Sequence, residues 1–128
     1  MKITIIIPVY NEQAHLEHML NALVEQTIKP SQVIIVDDNS TDNTPRIIKK
    51  FVESFAWITT VNTKTTSKHS PGAKVIEAFY KGYEKCNPDS ELIGKFDADI
   101  ILPKNYLEQM VAIFASDKLV GMAAGNLY

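Results

Sequence analysis

The apolar positions of the chain fall into two alternating patterns. Ile3-Thr4-Ile5-Ile6-Ile7 is a short, β-branched, almost wholly apolar run, of the kind that suits a strand buried on both faces of a parallel sheet. Gln32-Val33-Ile34-Ile35-Val36 repeats it, and Trp57 to Val61, Leu92 to Phe96 and Leu119 to Ala124 are predicted as three further strands. Between these runs the apolar residues recur at helical spacing. The stripes are Leu16, Met19, Leu20, Leu23 and Val24; then Ile47, Ile48, Phe51, Val52 and Phe55. Val75, Ile76, Phe79, Tyr80 and Tyr83 form a third stripe, and Leu107, Met110, Val111 and Phe114 a fourth. Asn11 is expected to cap the first helix and Ser70 the third, while Pro45, Pro71 and Pro103 stand near helix starts, where a missing N–H costs nothing.

Strand and helix therefore alternate throughout, which predicts an α/β domain: a Rossmann-like, mainly parallel sheet with helices on both faces. A length of 128 residues fits one domain over 1–128, and no repeat, low-complexity tract or linker interrupts it. Ligands of such sheets bind in the crevice beyond the carboxyl ends of the strands. The residues that follow each strand are thus the ones to inspect for function.

Composition narrows the setting. Hydrophobic residues at 45% and charged residues at 22% are ordinary for a globular domain. A lone Cys86 excludes an internal disulfide framework and favours a reducing, cytoplasmic location. The formal charge of −2 argues against a nucleic-acid partner, and no apolar run approaches the ~20 residues of a membrane span. The opening run carries Pro8 and ends in Tyr10-Asn11-Glu12, unlike a signal-peptide cleavage site.

Three polar segments follow predicted strands: Pro8-Val9-Tyr10-Asn11-Glu12, Asp37-Asp38-Asn39-Ser40-Thr41-Asp42 and Asp97-Ala98-Asp99. In an extended segment Asp97 and Asp99 share a face and can converge on one cation; magnesium and manganese take such oxygen ligands, with phosphates and water completing the shell. An Asp-x-Asp also serves as turn or cap residues, and the position after a buried strand favours the metal. Asp37 and Asp38 have two uses as well: capping free N–H groups of a strand-to-helix turn, or accepting the ring N–H of a nucleobase. Glu12 suits the first turn of a helix. Tyr10, followed by polar residues, suits a rim position where its ring stacks on a base. His15 and His18 are expected to be exposed helix positions. There is no G-x-G-x-x-G, no P-loop, no calcium loop and no zinc spacing.

Taken in order, the stretches Ile5 to Glu12, Val33 to Asp42 and Lys95-Phe96-Asp97-Ala98-Asp99 resemble the family 2 glycosyltransferases, over essentially the whole chain. The resemblance implies a GT-A fold in truncated form, a UDP- or GDP-linked sugar donor, a divalent cation (Mn or Mg) and inverting transfer to an acceptor hydroxyl. It further implies that Pro8, Tyr10, Glu12, Val36 and Asp38 form the pocket for base and ribose. Asp97 and Asp99 are implied as the metal ligands, with Asp97 and Ala98 lining the donor site. Lys74 stands where many members carry an arginine; lysine is a point charge rather than a planar fork, and an ordinary surface role is an equal alternative. Family members continue well past this length and carry their catalytic base there. The chain is therefore expected to be the donor-binding part of a transferase, cytoplasmic and membrane-associated only within a longer parent, with its base beyond residue 128 and Asp117 a poor substitute. An open sheet edge is expected to promote self-association. The rival readings are a non-catalytic nucleotide-binding or interaction module, a nucleotidyltransferase, for which a Gly-rich basic loop after the first strand is missing, and a signalling receiver. In a receiver the acids would follow the first and third strands; here they follow the second and fourth.

Overall fold

A computed structural model of the protein describes residues 1–64 and 71–116. Four parallel strands, β1 (Ile3–Val9), β2 (Gln32–Asp38), β3 (Ile58–Thr63) and β4 (Leu92–Lys95), form one sheet in the order β3-β2-β1-β4. The helices are α1 (Leu16–Val24), α2 (Thr44–Ser54), α3 (Pro71–Tyr83) and α4 (Tyr106–Ser116). The expected fifth strand, Leu119 to Ala124, lies outside the described residues, as do Asp117 and the cap expected at Ser70.

β1 and β2 are central and carry the continuous apolar runs because helices cover both faces. On one face Ile3, Ile5, Ile7 and Val9 meet Val33, Ile35 and Ile58 under α1, α2 and α4, with Leu16, Met19, Leu20, Leu23, Ile48, Phe51 and Leu107 buried among them. On the other face Ile6, Ile34 and Val36 pack against Ala78 of α3. Each such aliphatic side chain, fully buried, stabilises the fold by about 1.5–3 kcal/mol.

The register places the functional edge. Val9 stands opposite Asp37 across β1–β2, and Asp38 opposite Thr63 across β2–β3. β2 and β4 flank β1 on opposite sides, so the connections leaving β1's neighbourhood run in opposite directions. This is a topological switch point, where a crevice opens at the carboxyl ends of the strands. Among the described residues no helix is long and apolar enough to cross a membrane.

Three local expectations are corrected. Asn11 is not the N-cap of α1; His15 holds that position, and Asn11 adopts the left-handed region at φ 49° with its side chain turned to the neighbouring loop. Glu12 therefore precedes the helix, and Glu17 is the acid of its first turn. The stripe Ile76, Tyr80, Tyr83 of α3 is exposed rather than buried. The small residues Ala78 and Gly82 face the sheet instead, because only they permit so close an approach: a Cβ on Gly82 would stand 2.7 Å from Ile6 Cγ2 and 2.8 Å from Val36 Cγ2. His18 is exposed, as expected.

Candidate functional site

A cleft of about 510 Å³ opens at the carboxyl edge of the sheet. β1 delivers Pro8, Val9 and Tyr10, and Glu12 follows; β2 delivers Asp38 and Asn39; Lys64 follows β3. Asp97, Ala98 and Asp99 follow β4, and α3 contributes Lys74, Val75 and Ala78. Of the residues expected from the sequence, Pro8, Tyr10, Glu12, Asp38, Lys74, Asp97, Ala98 and Asp99 all line this one cleft. Val36 does not: its side chain is fully buried in the second core beneath α3, so only its backbone, paired with Pro8 and Val61, supports the site. Lys64, Val75 and Ala78 are lining residues the sequence reading missed. Lys64 carries no motif, and its position emerges only from the β2–β3 register.

Two loops build the near wall, and they are tied together. Asn11 and Asn39 both take positive φ, 49° and 59°, a conformation that asparagine tolerates better than other side-chain-bearing residues. Asn11 Oδ1 accepts from the backbone N–H of Thr41 at 2.8 Å and of Asp42 at 3.3 Å. The N–H of Asn11 donates to Ser40 Oγ at 3.0 Å, and that of Glu12 to Thr44 Oγ1 at 2.8 Å. Asp37 belongs to this scaffold: it is 5% exposed and accepts from the N–H of Ser40 at 3.1 Å. Of the two adjacent carboxylates, Asp37 shapes the turn and Asp38 lines the cleft.

The far wall is acidic. Asp97 and Asp99 are exposed and Ala98 between them is buried, but the segment is not extended as the sequence suggested: Ala98 and Asp99 form a turn in which the N–H of Ile100 donates to the carbonyl of Asp97 at 3.4 Å. Asp97 Oδ1 accepts from Lys95 Nζ at 3.1 Å. Glu12 is raised above its ordinary carboxyl range, first by burial and then by the charge of Asp99; His15, 3.6 Å away, opposes the shift. Glu12 and Asp99 both line the cleft, and a cation bound there would relieve their repulsion. Among the described residues no cluster of three acid, imidazole or thiol ligands forms. Two carboxylate ligands fit a hard divalent ion that takes its remaining oxygens from phosphates and water.

The loop after Asp99 is anchored from behind. Gln26 is 1% exposed at the end of α1; its Nε2 donates to the carbonyl of Pro103 at 2.7 Å and its Oε1 accepts from the N–H of Leu107 at 3.0 Å. This side chain holds the start of α4, and with it the segment that leads out of the acid pair.

The chain matches known proteins along nearly all its length. The family model for glycosyl transferase family 2 matches residues 4–126. The probable glycosyltransferase YdaM of Bacillus subtilis is 29% identical over 127 residues, covering 98% of this chain and 29% of YdaM. The uncharacterized glycosyltransferase alr2836 of Nostoc sp. is 28% identical over 126 residues, covering 95% of this chain and 35% of that protein. The chain thus spans about a third of the length of these relatives. Among solved structures, S. aureus TarS 1-349 in complex with UDP-GlcNAc superposes with a TM-score of 0.75 at 22% identity, covering 98% of this chain and 37% of that one. The mannosyltransferase PcManGT from Pyrobaculum calidifontis, in complex with GDP-Man and Mn2+, superposes at 0.71 with 25% identity, over 89% of this chain and 32% of that one. The fold is accordingly of the GT-A type, and the receiver reading falls with it. From sequence stretch, sheet and cleft together, the chain belongs to glycosyl transferase family 2.

Proposed function

We propose that this chain binds a nucleoside-diphosphate sugar with a divalent cation, Mn or Mg, and forms the donor half of an inverting glycosyltransferase. The observation that carries this reading is the convergence of Tyr10, Glu12, Asp38, Asp97 and Asp99, drawn from three strand ends, on one cleft at the switch point. Two structural neighbours support it: TarS is seen with UDP-GlcNAc and PcManGT with GDP-Man and Mn2+.

In this reading Tyr10, 57% exposed at the rim, stacks on the base, and Asp38 accepts its ring N–H. Pro8 and Glu12 frame the ribose, and Val36, buried two residues before Asp38 in the same strand, supports the site from its backbone. Asp97 and Asp99 hold the cation, and Ala98 leaves room for the donor between them. A bound divalent ion would supply Lewis-acid stabilisation of the departing diphosphate and a template for its two phosphates. Lys74, at the first turn of α3, adds a point charge on the donor. Each described acid of the cleft is thereby committed to the donor side. On this reading the base that takes the proton of the acceptor hydroxyl, on a glycan or a lipid, is none of these cleft acids.

Calorimetry with UDP, GDP, CDP and ADP, with and without Mn2+, tests the reading. Binding of at least one nucleoside diphosphate that tightens with Mn2+ is expected. Failure to bind any of them overturns it.

A further inference from the structure

Lys64 is a charged cleft residue that no motif accounts for, and the sheet order fixes which part of a ligand it meets. The strand ends stand in the sequence Lys64, Asp38, Tyr10, Asp97 along the edge, following β3, β2, β1 and β4. β3 and β4 are three strand spacings apart, about 14 Å in all. Lys64 immediately follows Thr63, the register partner of Asp38, so the two residues rise from adjacent strands one step apart. A nucleoside diphosphate whose phosphates lie at Asp97 and Asp99 extends its ribose and then its base toward the β2–β3 end. Lys64 therefore stands at the base end, and Lys74 enters separately from α3.

The chemistry of the pair is directional. An ionised Asp38 only accepts hydrogen bonds and the ammonium of Lys64 only donates them. Uracil and guanine present an imino N–H next to a ring carbonyl, a donor beside an acceptor. Cytosine and adenine present a bare ring nitrogen next to an amino group, the reverse order. With Asp38 facing the ring nitrogen, the first kind of base satisfies both side chains. The second kind sets a lone pair against a carboxylate and an N–H2 group against an ammonium. We propose that Lys64 is a specificity-determining residue: it donates to the base carbonyl beside the N–H that Asp38 accepts, and so selects donors whose base carries an imino N–H next to a carbonyl. The inference rests on the donor-binding reading above.

Its test compares wild type with Lys64→Met, which keeps the apolar stem and removes the charge, and with Lys64→Arg, which restores a donor. Binding of UDP, GDP, CDP and ADP is measured by calorimetry in Mn2+, with thermal melting to check that each variant is folded. Wild type is expected to prefer UDP or GDP over CDP and ADP. Lys64→Met is expected to weaken the preferred nucleotide about tenfold, the scale of a lost charged hydrogen bond, with little effect on CDP and ADP. Lys64→Arg is expected to recover part of the preference. An equal loss across all four nucleotides would assign Lys64 to the phosphates, and an unchanged preference would remove it from the site; either result overturns the proposal while leaving donor binding intact. A wild-type protein that binds none of the four would instead overturn the donor-binding reading itself.

Discussion

Lys95 Nζ donates to Asp97 Oδ1 at 3.1 Å, so the protein supplies its own cation to one of the two carboxylates proposed to hold the metal. Both side chains are partly solvated, 37% and 62% exposed, and an exposed pair of this kind contributes about 0.2–1 kcal/mol. A divalent ion at Asp97 has to displace or share that contact. Lys95→Met is therefore expected to tighten Mn2+ binding about two- to fivefold in the absence of nucleotide. Electron paramagnetic resonance of free Mn2+ during titration measures it. An unchanged affinity would show that the Lys95 contact does not compete with the metal.

Glu12 yields a pH dependence with a definite sign. Burial and the charge of Asp99 raise its native pKa above the ordinary 4.5, so between these two values the native state binds more proton than the unfolded chain. Stability is expected to fall as pH rises from about 4.5 through the raised value, and to remain lower above it. Urea midpoints across this window test the point. Glu12→Gln is expected to flatten that limb, and Asp99→Asn to bring the Glu12 carboxyl back toward 4.5 in a carbon-detected NMR titration.

Asp99→Asn also probes the acid pair directly. The substitution keeps shape and removes one charge from a hard-cation site. Nucleotide binding by the variant is expected to lose its Mn2+ enhancement while the thermal transition survives. Equal enhancement in variant and wild type would make the pair structural.

Gly82 marks the tightest contact between α3 and the sheet. Alanine is the better helix former by about 1 kcal/mol, which alone would stabilise α3. Its Cβ would meet two β-branched methyls, on Ile6 and Val36, below 3 Å, and both side chains are fully buried, with no open space beside them. Overpacking of this sort costs about 1–3 kcal/mol, so Gly82→Ala is expected to be net destabilising by denaturant unfolding. A stabilised variant would show that α3 can lift from the sheet at little cost.

Gln26→Ala removes the donor to Pro103 and the acceptor for Leu107 together. Leaving buried backbone groups unpaired costs about 1–3 kcal/mol. The loss is expected to concentrate at α4, and faster hydrogen exchange at the Leu107 amide, with α2 amides unchanged, would record it.

The sequence exposes the central strands and the three acid-bearing segments because their signals are local. Ile3 to Ile7 and Val33 to Val36 are apolar on both faces, and strand ends in a parallel sheet necessarily share an edge. Less legible were features set by distant partners. Lys64 and Asp38 become neighbours only through the β2–β3 register. Asn11 has the composition of a helix cap, yet its side chain serves Thr41 and Asp42 thirty residues away. In α3 the stripe of large residues resembled a buried face, but the space above Ile6 and Val36 admits only Ala78 and Gly82. Gln26 gave no signal, because a buried amide is identified by the carbonyl and amide it meets rather than by its neighbours in the chain.

The bonds that tie Asn11 and Glu12 to Ser40, Thr41, Asp42 and Thr44 have a thermodynamic consequence. The conformational entropy of both loops is surrendered when the chain folds, not when a ligand arrives. Tyr10, Glu12 and Asp38 thus meet an incoming nucleotide already in place, and association approaches the docking of a ligand onto a preorganised wall. The same rigidity makes the coupling reciprocal: a ligand held by the first loop also secures the N-terminus of α2, on a helix that touches no part of the cleft.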